Sequence, residues 1–403
     1  MANVAIEGPI GDRIRVYRRR RGLSQKELAG LIGRSESWLS QVERGLRSVD
    51  KFSVLVHIAQ VLKTDVETLS GRRMEYAPNG DTHVDGIDEI SVALTRYPGL
   101  GPLDVPTPST LEDLERLATE AHIRCQTADY VTAARILPRL IETVDAVVVN
   151  ATRADLERVL TLQHETYLAT AKLLTKTGDG YLAWIAADRA AVAAIRLDSP
   201  ARKGLAAYQV TCALLKIDRI DEAERVAVAA ANAIDDDDSL AISARGALIL
   251  ISAVIAGRRN DRKGATERLR QAQYLADAIG EDGNYGWTAF GPTNVAIHQV
   301  SVAAELGDAE AAIHYAVQID TSNLPESLRS RQAQIHLDAA WAYSQHKDDP
   351  AVVINLMETE RVAPQILRYN VVAREIIREL LKRERRSATP GLRALAARAG
   401  VLR

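Results

Sequence analysis

The feature that most constrains this chain is a short polar turn that returns along most of its length. From Ser109 onward the residue pattern is helical throughout. Pairs of long amphipathic segments are joined at Thr127-Ala128-Asp129, Gly178-Asp179-Gly180, Asp218-Arg219-Ile220-Asp221, Arg259-Asn260-Asp261, Gly307-Asp308 and Lys347-Asp348-Asp349. The aspartates at 129, 179, 218, 261, 308 and 348 lie 50, 39, 43, 47 and 40 residues apart. A small residue follows each turn (Ala133, Ala183, Ala223, Ala265, Ala309 and Ala351), which lets the second helix of a pair pack closely on the first. Two helices per unit at such a period read as a helical-repeat solenoid, with an irregular helical bundle as the alternative. Composition agrees. Aromatics make up 4%, with only two Phe, while hydrophobic residues reach 47%. That mixture favours close-packed, alanine-lined helices over sheets, so the expected class is all-α.

The N-terminal part reads differently. Residues 1–75 carry 14 Lys/Arg against 9 Asp/Glu, and the remainder carries 37 against 44. A small basic head on a large acidic body points to a nucleic-acid contact at one end only. Within the head, Ser24 and Glu27 have the spacing of a capping box. Gly33 can take the left-handed conformation that ends a helix, and Ser35 can cap the next one. With Leu39 and Val42 defining the inner side at 100° per residue, Ser37, Ser40, Gln41 and Arg44 point outward and Glu43 inward; Glu36 lies at the exposed N-terminal end. Gln pairs with adenine and Arg with guanine in the major groove. Gln25 and Arg34, at helix N-termini, suit phosphate contacts, and Arg47 and Lys51 can clamp the backbone. The run Arg18–Arg21 adds further positive charge beside the motif. The bland alternative is a helical hairpin that binds protein.

Residues 11–70, and Leu23–Gly45 in particular, closely resemble the Xre-type helix-turn-helix of phage-repressor-like bacterial regulators. The resemblance implies five helices, recognition by helix 35–44, binding to double-stranded DNA as a homodimer, and a structural pairing of Glu43 with Arg18. The family often places Pro after the Glu-x-Gly turn, where this chain has Val49 and Asp50.

In the body, the concave face of a solenoid is built from first helices and is the natural place for an effector. On helix 292–306, Asn294, His298, Ser301 and Glu305 share one face, and Arg329, Gln332 and His336 repeat the pattern on the next first helix. Arg245 interrupts the apolar stretch Leu240–Gly257 and needs a carboxylate or a bound anion. His164, Tyr167 and Tyr208 are further groove candidates, while Trp184 and Trp341 read as core. The segment Asn284–Asn294 concentrates Tyr285, Trp287 and Phe290 among glycines, either as a ligand-contact loop or as a plug between repeats. The candidate effector set is therefore Arg245, Trp287, Phe290, Asn294, His298, Arg329 and His336. The body resembles degenerate tetratricopeptide-like repeats. The whole arrangement is similar to actinobacterial Xre-type regulators with such C-terminal halves; regulators of the same architecture in other bacteria sense signalling peptides, and that likeness implies an effector site without identifying its occupant.

Two cysteines, Cys125 and Cys212, exclude a disulfide framework, and no Cys/His cluster has zinc-ligand spacing. No glycine-rich phosphate loop, His-Glu-x-x-His or Gly-x-Ser-x-Gly appears, so neither an enzyme nor a cofactor is expected. Met1–Ile10 lacks the pattern of a secretion signal. The charge-free part of the most apolar stretch is only Gly246–Gly257, against about 20 residues for a spanning helix, which reads as a buried helix of a cytoplasmic, nucleoid-associated protein without membrane contact. The expected organisation is a helix-turn-helix domain at 1–75, a Pro/Gly-rich linker at 76–108 with one short helix at 87–97, and a solenoid at 109–403 for effector binding and dimerisation. The expected function is a dimeric regulator whose binding to an inverted-repeat operator responds to a peptide or small-molecule effector. The alternative is a DNA-tethered adaptor whose solenoid holds a partner protein.

Overall fold

Helices are the only regular elements among the described residues. The computed structural model describes residues 9–47, 49, 52–62, 64, 69, 84–97, 110–322, 324–385 and 387–402. The chain divides into two units, Met1–Asp81 and Thr82–Arg403. In the first, the helices are α1 (Ile10–Arg20), α2 (Gln25–Leu31), α3 (Glu36–Glu43) and α4 (Phe52–Leu62). They enclose a small core of Ile14, Leu28, Leu39, Val42, Ile58 and Leu62. The expected fifth helix falls largely outside the described residues, as do Asp50 and Lys51.

The second unit begins earlier than its sequence indicated. Helix α5 (Ile87–Thr95) was expected inside a linker, yet Ile87, Ile90, Ala93 and Leu94 are buried in the body's main core. The cause is its apolar stripe, which packs against the second helix of the first repeat. Six helix pairs follow: α6 (Leu111–Gln126) with α7 (Tyr130–Val149), α8 (Leu156–Thr177) with α9 (Gly180–Leu197), α10 (Pro200–Lys216) with α11 (Ile220–Asn232), α12 (Ser239–Arg258) with α13 (Arg262–Ile279), α14 (Pro292–Glu305) with α15 (Ala309–Ala316), and α16 (Arg329–Gln345) with α17 (Asp349–Val362). The body ends in α18 (Pro364–Tyr369), α19 (Val371–Lys382) and α20 (Leu392–Arg398).

One local device makes all six intra-pair turns. The first or second residue after each first helix is left-handed: Ala128, Gly178, Asp218, Asn260, Gly307 and Lys347. The next N–H reaches back five residues to a carbonyl of the first helix, as from Asp129 to Arg124 at 2.8 Å and from Asp308 to Ala303 at 2.9 Å. That bond satisfies a carbonyl which the helix end would otherwise leave without a partner. At five turns the residue making this bond is the aspartate that caps the second helix. The third turn is the exception. Asp218 itself is left-handed and Arg219 holds the cap position without a side-chain bond, so the aspartate register there is displaced by one. Counted from the left-handed residue, the fifth position is buried in every repeat: Ala133, Ala183, Ala223, Ala265, Ala312 and Val352. In the last two pairs these replace Ala309 and Ala351 as the close-packing residues.

Helix α12 is long and apolar enough to cross a membrane by length and composition, and 72% of that stretch is buried inside the body. Trp184, expected in the core, is instead 40% exposed on α9. The first and sixth pairs meet through α6 and α16, and Gln365 beyond α17 bonds both the Asp129 carboxylate at 3.2 Å and the Val131 N–H at 3.1 Å. The row of first helices therefore curls far enough for its ends to touch.

Candidate functional site

The head is built around one buried ion pair. Arg18 on α1 meets Glu43 at the end of α3 through two parallel bonds, Nε to Oε1 at 2.6 Å and Nη2 to Oε2 at 2.9 Å. A third bond joins Arg18 Nη1 to the Leu23 carbonyl at 2.7 Å. Burial opposes the charge on Glu43, but the bonds from Arg18 and Gln25 outweigh it and hold the carboxyl below its ordinary range. Helix α1 can approach α3 this closely because residue 11 is glycine; a Cβ there would sit 2.0 Å from the Val42 carbonyl oxygen. The caps form as the sequence indicated. Ser24 Oγ accepts from the Glu27 N–H at 3.1 Å, Glu27 accepts from the Ser24 N–H at 2.7 Å, and Ser35 Oγ accepts from the Trp38 N–H at 3.2 Å. Gly33 is left-handed, with φ of 65°.

These constraints fix the presentation of α3. Leu39 and Val42 are in the core, while Glu36, Ser37 and Arg44 are exposed and Ser40 and Gln41 half-exposed. Arg34 and Arg47 are exposed as well, and Arg34 lies over the Trp38 ring at 5.5 Å. Two sequence assignments change. Gln25 donates to Glu43 at 2.7 Å, so its amide helps hold the buried pair. Arg18 leaves the basic run for the interior, with Arg19 and Arg21 exposed beside it.

The body contains a cavity of about 630 Å³. All six first helices contribute to its wall, and none of the six second helices does. Lys172 and Lys176 come from α8, Tyr208, Cys212 and Lys216 from α10, Arg258 from α12, His298 and Ser301 from α14, and Arg331 and Asp338 from α16. Burial, together with repulsion from Arg331, lowers Lys172 and Lys176 to about 8. Burial raises Asp338 to about 6 despite bonds from Ser301 at 2.5 Å and Gln334 at 2.7 Å, and lowers His298 to about 3.

The aromatic insert crosses this space. Trp287 stacks on His122 with 4.6 Å between ring centres, and its Nε1 donates to Glu165 at 3.0 Å. Its carbonyl accepts from Lys172 Nζ at 2.8 Å, and Asn284 and Gln126 exchange two amide bonds of 2.8 Å each. Gly286, Trp287 and Ala289 are all left-handed, a conformation that disfavours a bulky side chain such as Trp287. Phe290 acts as the plug. It is fully buried, and a Cβ on Gly246 would fall 2.2 Å from its ring.

Of the residues singled out in the sequence, Trp287, His298, Ser301, Glu305 and Tyr208 reach the cavity, as does Trp341, which was read as core. Asn294 is buried one turn before His298 and lies off the wall. On α16 the inward line is Arg331, Gln334 and Asp338, two residues on from Arg329, Gln332 and His336, which lie elsewhere. Arg245 is half-exposed and away from the cavity. His164 and Tyr167 are interior, and Tyr167 donates to Asp145 at 2.6 Å. The lysines were missed. Lys172 and Lys176 stand one turn apart on α8, a spacing that by itself also fits a solvated face.

Comparison with known proteins bears on the head. Residues 9–70 match the family model for a helix-turn-helix domain. Over 71 residues the chain is 37% identical to the HTH-type transcriptional regulator SinR of Bacillus subtilis (strain 168), and equally to that of Bacillus licheniformis. The match covers 18% of this chain and spans 64% of the length of those relatives. A likeness extending over 67% of this chain and 95% of the other is found to the crystal structure of Bacillus thuringiensis PlcR in complex with the peptide PapR7 and DNA, at 14% identity and a TM-score of 0.28. Residues 9–70 are therefore a helix-turn-helix domain, and the chain resembles the regulator SinR over a stretch of 71 residues.

Proposed function

We propose that the protein is a sequence-specific DNA-binding transcription regulator that engages an inverted-repeat operator as a homodimer, with occupancy set by an effector held in the body. The observation that carries this reading is the outer side of α3. Ser37, Ser40, Gln41 and Arg44 are presented on a helix whose inner side is fixed by the core and by the Arg18–Glu43 pair. Side chains of this length and chemistry read base edges in a major groove, while Arg34 and Arg47 supply phosphate contacts. The polar, partly enclosed cavity supports a bound effector better than an adaptor surface, which would need an open groove.

Footprinting of the purified protein on genomic DNA tests the reading. Protection of two half-sites about one helical turn apart is the expected result. Protection without sequence preference, or protection unchanged when Gln41 and Arg44 are replaced by alanine, overturns it. Sedimentation with and without the operator fragment checks the dimer.

A further inference from the structure

The cavity wall holds more positive charge than the chain compensates. Lys172, Lys176, Lys216 and Arg331 all contribute to it, and no carboxylate forms an ion pair with any of them among the described residues. Of the two acids on the wall, Glu305 is taken by Arg258 at 2.9 Å, which leaves Asp338 alone against four cations. Among the described residues, the ammonium of Lys172 donates to the Trp287 carbonyl alone, at 2.8 Å. Like charges gathered around half-buried space repel one another and lose hydration, so the arrangement costs stability in the empty protein. A core built for packing places no such group there, and a solvated surface would spread the charges apart. The site also carries neutral hydrogen-bonding groups, among them Tyr208 and Gln334, and tryptophan walls from Trp287 and Trp341. Its volume of about 630 Å³ falls within the usual range for pockets that hold metabolite-sized ligands.

We infer that this cavity is a binding site for a compact organic polyanion bearing two or more carboxylate or phosphate groups, with Lys172, Lys176 and Arg331 as its anchors. Two acidic groups or more are needed to offset four cations. A neutral peptide with a single terminal carboxylate leaves most of them unopposed, which is why a small polyanion fits better. The inference deepens the regulator reading by giving the effector a chemical class, but its test needs no DNA.

The test is calorimetric titration and thermal unfolding of the full chain at physiological salt, with citrate and pyrophosphate as separate probes and glycerol as the uncharged control. Binding of either anion at millimolar concentration or below is expected, with a raised Tm and none from glycerol. Preference between citrate and pyrophosphate separates a carboxylate from a phosphate ligand. Lys176→Gln and Arg331→Gln should each weaken binding tenfold or more, while the double variant without ligand melts at a temperature equal to or above that of the unchanged protein. Arg34→Ala, in the head, should bind both probes normally. Absence of binding by both anions, equal binding by the double variant, or a Tm of the ligand-free double variant below that of the unchanged protein overturns the inference. So does capture of a neutral pentapeptide where both anions fail. Loss of operator footprints with anion binding intact sinks the regulator reading alone.

Discussion

Arg18 in the head and Lys176 in the body are both cations held away from open water, and the molecule treats them in opposite ways. Arg18 has a side chain only 9% exposed, and every direction it faces is answered: two oxygens of Glu43 and the Leu23 carbonyl. Lys176 stands with Lys172, Lys216 and Arg331 on one cavity wall where, among the described residues, Asp338 is the one carboxylate not held by an ion pair. A satisfied buried charge ties two helices into one geometry. An unsatisfied cluster does nothing for the fold and is retained only if something outside the chain completes it. The comparison separates the part of the molecule that must hold a shape from the part that must receive a ligand.

The head side of that contrast breaks most readily at Glu43. Glu43→Gln removes the charge opposite Arg18 and leaves a guanidinium in a dry site, a change expected to cost about 3–5 kcal/mol of head stability. Hydrogen exchange should show faster exchange in α1 to α3 with the body unaffected. Because the folded carboxyl lies below its ordinary value, its contribution is complete above the unfolded value near 4.3 and fades as pH falls through the folded one. Gln41→Ala and Arg44→Ala act on the opposite surface of the same helix. Each should leave the fold intact and weaken operator binding by about 1–3 kcal/mol, read as roughly ten- to a hundredfold in a titration. Equal losses on operator and random DNA would reassign them to phosphate contact.

How much of this was legible in the sequence follows from the range of the interactions. The caps Ser24 and Ser35, the stop at Gly33 and the aspartates at five repeat turns obey rules acting over a few residues, and they appear where those rules place them. The displaced turn at Asp218 shows the limit of a residue-type rule, because what recurs is a left-handed residue followed by a cap and not aspartate itself. Helix α14 was read nearly correctly, with His298, Ser301 and Glu305 all on the wall, whereas α16 was turned by two residues. A helical wheel gives faces without saying which face looks inward. That choice is made by the meeting of α6 with α16, more than 200 residues apart in sequence, and no local pattern encodes it. Lys172 and Lys176 were hidden for the same reason, since lysines one turn apart ordinarily mark a solvated face.

The aromatic insert sharpens the body side. Phe290 and Trp287 lie three residues apart, yet one fills the core against Gly246 and the other borders the cavity. Gly246→Ala should overpack the Phe290 site and cost about 1–3 kcal/mol, visible as a lower melting temperature. Anion affinity should stay the same once the protein is folded. A large loss of affinity would mean that Phe290 supports the cavity wall through the insert and is not merely a plug.

The smallest expected effect separates the lysines from Arg331. Lys172 and Lys176 sit at about 8, and they face Cys125, Cys212, Lys216, Arg331 and Asp338 on the neighbouring first helices, with Glu165 on their own. In the empty protein they lose their protons as pH rises through that value, while in the unfolded chain they keep them to about 10.4. The unfolded state therefore binds more protons between the two values, and ligand-free stability should rise with pH across that window relative to a Lys172→Gln/Lys176→Gln variant. A bound anion favours the charged lysines, so binding takes up protons near pH 8, and citrate affinity should fall on the order of tenfold between pH 7 and pH 9. Titrations in two buffers of different ionisation enthalpy measure that uptake directly. A flat profile with binding intact would assign the anion to Arg331 and not to the lysines.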